Sequence, residues 1–265
     1  MVGGGRDGSQ RMLLGEEHQG VLWLTLNRPQ VRNALNGELR AGLLGELSGV
    51  ASSASVRAVV LRGAPGAFCS GADVAEMAQG MTGTVAMLDL GREIVMAIAN
   101  LPKPVIAAVQ GVAAGAGFSL ALSCDLVVAD PTALFRPIFV ERGLAPDWGC
   151  SHWLVRHLGL ARAKDVLLTG RSLSAVEAHE LGIVARLWDA DEFAERLRAF
   201  ADQLASGPTV ALGITKRTLN RAAESDLHGV LAMETYGQAF ATSTFDHAEA
   251  VRAFSERRPA AFEGR

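Results

Sequence analysis

A chain of 265 residues, 49% hydrophobic and only 6% aromatic, is long enough for one large domain, or a domain with an appendage, around a substantial core. Its net charge of −3 supplies no basic face, which argues against nucleic acid as a partner. Three cysteines, Cys69, Cys124 and Cys150, are odd in number and form no C-x-x-C pair, so reduced thiols in a cytoplasmic protein fit better than a disulfide framework.

The N-terminus, MVGGGRDGSQRM, is polar and glycine-rich, without the apolar centre of a signal peptide, and reads as a flexible tail over residues 1–11. VLWLTL (21–26) reads as a strand, and residues 36–53 as a helix with Leu43, Leu44 and Leu47 on one face. VRAVVLRG (56–63) is a second strand; it runs into the small-residue turn GAFCSGADVAEM (66–77), where a helix should start at Asp73. Residues 84–100 form a longer helix. The stretch LPKPVIAAVQGVAAGAGFSLALSCDLVVAD (101–130) then gives a strand, a glycine-rich turn, a helix and a further buried strand. Residues 105–124 are uncharged, long enough for a membrane span, but Gln110, the glycines and Ser119 interrupt them; a buried strand–turn–helix of a soluble protein is expected instead.

FRPIFVERGLAPDWGCSHWL (135–154) places Asp147 after Pro146 and before a helix that includes Ser151 to His157. The default role for such an Asp is that of N-cap, with Glu141 paired to Arg136 or Arg142. Beyond residue 150 strand signals almost vanish. Ser174 and Glu177 form a capping box. Residues 191–206 carry a stripe of Phe193, Leu197, Phe200 and Leu204, ended by Gly207-Pro208. Residues 210–256 continue as amphipathic helices with Leu219, Leu227, Leu231, Phe240 and Phe254. Strands alternating with helices imply parallel pairing, so the fold class is α/β, followed by a C-terminal helical region. Such a region often packs on a neighbouring subunit.

The glycine spacing at Gly115-Ala116-Gly117 does not match a dinucleotide fingerprint. Gly117-Phe118-Ser119-Leu120-Ala121 approximates a nucleophile elbow, but none of His152, His157, His179, His228 and His247 is singled out as its base, and Ser119 reads more readily as a pocket hydroxyl or one bonded to a helix carbonyl. The turns at 66–77 and 111–117 are of one kind: a strand, then small residues. Each is a tight connection; together they could also aim one backbone N–H apiece at a single oxygen, forming an oxyanion hole.

These stretches, with LNRPQVRNALN (26–36), LTGRSLSAVEAHELGIV (168–184) and AFSERRPAAF (253–262), resemble the crotonase superfamily, the enoyl-CoA hydratase/isomerase family, from about residue 12 to the C-terminus. The resemblance implies a spiral of ββα units (12–205) plus a C-terminal helical oligomerisation region (206–265), assembled as a homotrimer or dimer of trimers. It implies an acyl-CoA thioester substrate, no metal, and no cofactor beyond the coenzyme A of the substrate itself. The thioester carbonyl would sit between the N–H groups of Ala72 and Ala116. Ala72, Asp73, Val74 and Ala75 would contact the CoA, Arg28 would lie on the CoA side, and Phe254 and Arg257 would help close the CoA pocket. The two glutamates of the family's hydratases fall at Ser119 and Phe139, so both carboxylates are missing. Asp147, in GLAPD, matches the acid of the ring-1,2-epoxyphenylacetyl-CoA isomerase group. The expected catalytic set is therefore Ala72, Ala116 and Asp147, with Ser119 and Phe139 lining the substrate pocket, and the expected reaction is enoyl isomerisation with Asp147 carrying the proton. A hydratase recruiting Glu141 or Asp147, a non-catalytic acyl-CoA binding protein, and, more remotely, a serine hydrolase are the alternatives. Trp148 departs from the family, where this position is usually small; its indole either narrows the acyl pocket or packs outside it.

Overall fold

The computed structural model describes residues 11–77 and 80–265, so the expected tail lies outside the described residues except for Arg11. Strand β1 (Leu13–His18) pairs antiparallel with β2 (Val21–Leu26). In β2 Val21, Leu22, Leu24 and Leu26 are buried and only Trp23 and Thr25 reach partial exposure, the pattern of a strand covered on both faces. Helix α1 (Gly37–Ser52) starts where the Asn36 side chain accepts from the Leu39 N–H at 3.0 Å, and it buries Leu39, Leu43, Leu47 and Val50 along one stripe.

The chain then repeats a unit of two strands and a helix. The units are β3 (Ala58–Gly63), β4 (Ala67–Cys69) and α2 (Met81–Asn100); β5 (Val105–Val109), β6 (Val112–Ala114) and α3 (Ala116–Ser123); β7 (Leu126–Ala129), β8 (Leu134–Arg136) and α4 (Cys150–Thr169). The first strand of each pair joins a six-stranded sheet ordered β1-β2-β3-β5-β7-β10, and the second joins a four-stranded sheet ordered β4-β6-β8-β9. Here β9 is Leu173–Ser174 and β10 is Arg186–Leu187. Within the two sheets β2-β3-β5-β7-β10 and β4-β6-β8 are parallel. This is the expected spiral of ββα units. One consequence matters for function: the carboxyl ends of β4, β6 and β8 stand side by side, where open parallel sheets place ligands.

After α5 (Ala175–Glu180) come α6 (Phe193–Ala205), α7 (Thr209–Ala222), α8 (Leu227–Thr242) and α9 (Phe245–Glu256). Of the expected α6 stripe, Phe193 and Leu197 are buried on Val21, Ala58, Val60, Ile106 and Val128 of the large sheet together with Ala201 and Ala205, whereas Phe200 and Leu204 are only partly buried against them. The Lys216 ammonium pins α7: it lies 2.7 Å from the Asp125 carboxylate and donates to the Ile98 carbonyl at 2.7 Å. The final residues fold back over α9, where Asp246 accepts from the Gly264 N–H at 2.9 Å and the Arg258 guanidinium binds Glu249.

Three local expectations change. No α-helix starts at Asp73; its side chain accepts from the Ala75 N–H at 3.0 Å and caps a single 3-10 turn, Val74–Glu76. The capping box is half formed, because Glu177 N–H donates to Ser174 Oγ at 3.2 Å while the Glu177 carboxylate is held by Arg171 at 2.6 Å. Asp147 is not an N-cap: α4 begins after Gly149, which is left-handed and carries no side chain to cap.

Candidate active site

Ala72 follows β4 and Ala116 follows β6, and these strands are parallel neighbours. Ala72 forms a parallel bridge with Leu35, in which Leu35 N–H donates to Gly71 O at 2.8 Å and Asp73 N–H donates to Leu35 O at 3.1 Å. That pattern uses the groups on either side of Ala72 and turns its own N–H away from Leu35. Ala116 is the first residue of α3, where a helix leaves its N–H groups without internal acceptors. Neither N–H is engaged in a hydrogen bond among the described residues. The two turns touch at Gly71, which has φ +102; a Cβ there would lie 2.9 Å from Ala114 O and 3.6 Å from Ala116 N. Glycine is required both by that backbone angle and by the approach. Two free donors on adjoining turns, one at a helix start, favour an oxygen acquiring negative charge.

The acid arrives from the third strand exit. Ile138, two residues past β8, lies against the Gly115 turn, 3.5 Å from where a Cβ would be. The chain then passes buried Phe139, a 3-10 turn at Val140–Arg142 and Pro146 before reaching Asp147. The Asp147 carbonyl accepts from Cys150 N–H at 3.0 Å, but its carboxylate Oδ1 is buried with no hydrogen-bond partner among the described residues. Loss of solvation pushes its pKa up to about 6. The Ser119 hydroxyl, one turn along α3 from Ala116, donates to Gly115 O at 3.3 Å. Burial, with the Asp147 charge adding to it, raises the Cys150 thiol to about 12, which makes it an inert core group. Ser119 is buried and bonded to a helix carbonyl, the reading preferred over a nucleophile.

Arg28 donates through Nη1 to the Ala34 carbonyl and the Asp73 carboxylate, each at 2.7 Å, while its buried Nε has no partner among the described residues. The Arg28 bond holds the Asp73 carboxyl below its usual range. Val74, 73% exposed, and Ala75 lie open beside them. Phe254, 87% exposed, and Arg257, which ends α9 in the left-handed conformation, bond to none of these residues. Glu141 pairs with Arg136 at 3.4 Å, as anticipated.

The chain carries the sequence model of enoyl-CoA hydratase/isomerase over residues 16–265. It belongs to the enoyl-CoA hydratase/isomerase family. It is 38% identical to 1,2-epoxyphenylacetyl-CoA isomerase of Escherichia coli K12, over 96% of this chain and 98% of that one. It is 35% identical to 2,3-dehydroadipyl-CoA hydratase of the same organism, over 96% of this chain and 99% of the relative. The crystal structure of enoyl-CoA hydratase from Bacillus anthracis superposes with a TM-score of 0.92 at 30% identity, covering 96% of this chain and all of that one. Family membership supports an enzyme, and the relatives include both an isomerase and a hydratase of acyl-CoA thioesters. Among the described residues no helix is long and apolar enough to cross a membrane.

Two members of the site were not singled out from the sequence. Asn33, fully buried with φ 57, donates to the carbonyls of Ala64 and Ala67 and accepts from Arg28 N–H at 3.0 Å, so one side chain braces both the Arg28 loop and the entry to β4. It lay inside LNRPQVRNALN, and its tolerance of the left-handed region was the available signal. Cys150 is the other; its place between Ser119 and Asp147 depends on tertiary packing alone.

Proposed function

We propose that this member of the family is an acyl-CoA enoyl isomerase. The thioester oxygen accepts from the N–H groups of Ala72 and Ala116, and the Asp147 carboxylate removes a proton from C2 of a 3-enoyl-CoA. The electron pair moves through C1 onto the oxygen, giving a dienolate that the two fixed donors stabilise without reorganising; each such donor contributes roughly 3–4 kcal/mol. Protonated Asp147 then returns the proton at C4, which leaves the double bond between C2 and C3 and restores the carboxylate. One acid suffices because the proton leaves and returns on one face.

The observation that carries this reading is that, among the described residues, the buried Asp147 Oδ1 has no partner and the N–H groups of Ala72 and Ala116 on the two adjoining turns are unengaged. A pKa near 6 leaves it ionised at neutral pH yet basic enough to accept a proton. Arg28, Asp73, Val74 and Ala75 are assigned to the CoA, with the orphaned Arg28 Nε available to it. Ser119 and Phe139 bring no carboxylate to hold a water, which disfavours hydration. The exposed apolar side chains of the last three helices fit a homotrimer in which Phe254 and Arg257 approach the CoA, and the three free cysteines fit a reducing, cytoplasmic setting.

The test is turnover of 3-enoyl-CoA and of the phenylacetyl-CoA ring epoxide, set against hydration of crotonyl-CoA. Wild type should isomerise at least one of the first two and hydrate the third poorly; Asp147→Asn should lose activity by roughly a hundredfold or more with little change in KM. Brisk hydration by wild type, or full isomerase activity in Asp147→Asn, rejects the assignment.

A further inference from the structure

Asp147 is followed by two residues with left-handed backbone, Trp148 at φ 48 and Gly149 at φ 76. For a bulky aromatic that conformation costs about 1–2 kcal/mol, so something must hold it. The holder is on α2. The indole of Trp148, 8% exposed, rests on Gly91 so closely that a Cβ there would lie 2.1 Å from its Nε1 and 2.3 Å from its Cε2. Gly91 sits inside a 20-residue helix, where glycine costs about 1 kcal/mol relative to alanine. The seat for the ring accounts for it. Val95, one turn on, supports the same reversal, its Cγ1 lying 3.6 Å from where a Gly149 Cβ would be.

No neighbouring side chain among the described residues hydrogen-bonds the acid. The Asp147 carbonyl accepts from Cys150 N–H and its own backbone N–H approaches the carboxylate, while Oδ1 has no partner among the described residues. We infer that Trp148 is the positioning residue of this site: its indole, locked into the slot left by Gly91, sets the direction of the Asp147 carboxylate and seals it from water. The inference rests on Asp147 being the proton carrier. It also resolves where the large side chain beside the acid goes: onto α2, as a wedge behind the catalytic turn.

The charged groups nearby do not substitute for this lock. On α2 Asp89, Arg92 and Glu93 are exposed; Arg136 and Glu141 pair with each other beside Arg142; on α4 His152 and Arg156 face Glu224. The Asp147 charge also helps to raise the Cys150 thiol.

Three variants test the lock. Gly91→Ala evicts the ring while touching no reacting atom; Trp148→Gly relieves the backbone strain and removes the ring; Trp148→Phe keeps an aromatic wedge. The first two should lower kcat about a hundredfold with KM within about twofold, as expected for a misaimed group, and Trp148→Phe should recover much of the loss. The Asp147 pKa, read by carbon NMR of the carboxyl against Asp147→Asn, should fall from about 6 toward the ordinary value in the first two as water enters. That readout needs no turnover, so it judges the lock even if the isomerase assignment fails. Unchanged kcat and unchanged Asp147 titration in a folded Gly91→Ala or Trp148→Gly protein would overturn the inference.

Discussion

At the scale of single residues, Asp147 carries a cost that can be measured without substrate. Its pKa of about 6 in the fold, against about 3.9 for an unstructured Asp, means the folded state binds the proton more tightly. The penalty for burying the charge is therefore absent below about pH 4, grows as pH rises to about 6, and is constant above. Asp147→Asn removes it, so the variant should melt near wild type at pH 4 and be more stable by about 2–3 kcal/mol at pH 8, read from denaturant titrations. Activity should show the mirror of this titration, with kcat/KM of wild type climbing through about pH 6 to a plateau as the base ionises. A stabilising change that abolishes turnover is the expected mark of an acid kept for chemistry.

Elements bring their own test. The two small-residue turns work as a pair only because α3 lies tight on β4: a Cβ on Gly117 would fall 2.4 Å from Cys69 O and 2.7 Å from Cys69 Cβ. Gly117→Ala therefore has to push α3, and Ala116 with it, off the neighbouring turn. A fall in kcat of about a hundredfold, with CoA binding measured by calorimetry largely retained, is expected from losing one donor of the pair. α7 is anchored by the buried Lys216 ammonium, which meets Asp125 and the Ile98 and Lys103 carbonyls. Replacing Lys216 by Met strands the Asp125 carboxylate, whose pKa burial already raises, and should cost about 3–5 kcal/mol of stability. Both elements were visible as patterns of small or apolar residues. What they press against was not, because Gly117–Cys69 and Lys216–Asp125 are contacts between distant segments that leave no periodic trace.

On the scale of the whole molecule, the last three helices leave Leu219, Leu227, Leu231, Phe240 and Phe254 between 50% and 87% exposed. An apolar set of that extent on one end of a chain argues for burial against another copy. Light scattering should show a multimer, and the double change Leu231→Glu with Phe240→Glu should shift it to monomer, since charges replace the side chains that would be desolvated. A monomeric wild type would refute this.

Periodicity and turn chemistry were enough to read β2, β5, α1 and α6 and the parallel α/β order, since a strand covered on both faces or a helix covered on one must repeat its apolar residues at a set interval. Motif order was enough for the family and for Ala72, Ala116 and Asp147 as candidates. Tertiary structure alone decided that Asp147 does not cap α4 and that its Oδ1 has no partner among the described residues, that Asp73 starts a short 3-10 turn with its carboxylate on Arg28, and that the Trp148 ring lies on Gly91. Each of these depends on which backbone angles a loop adopts and which distant segment fills the space beside it. Such outcomes are set by packing across the whole core, and no local run of residues encodes them.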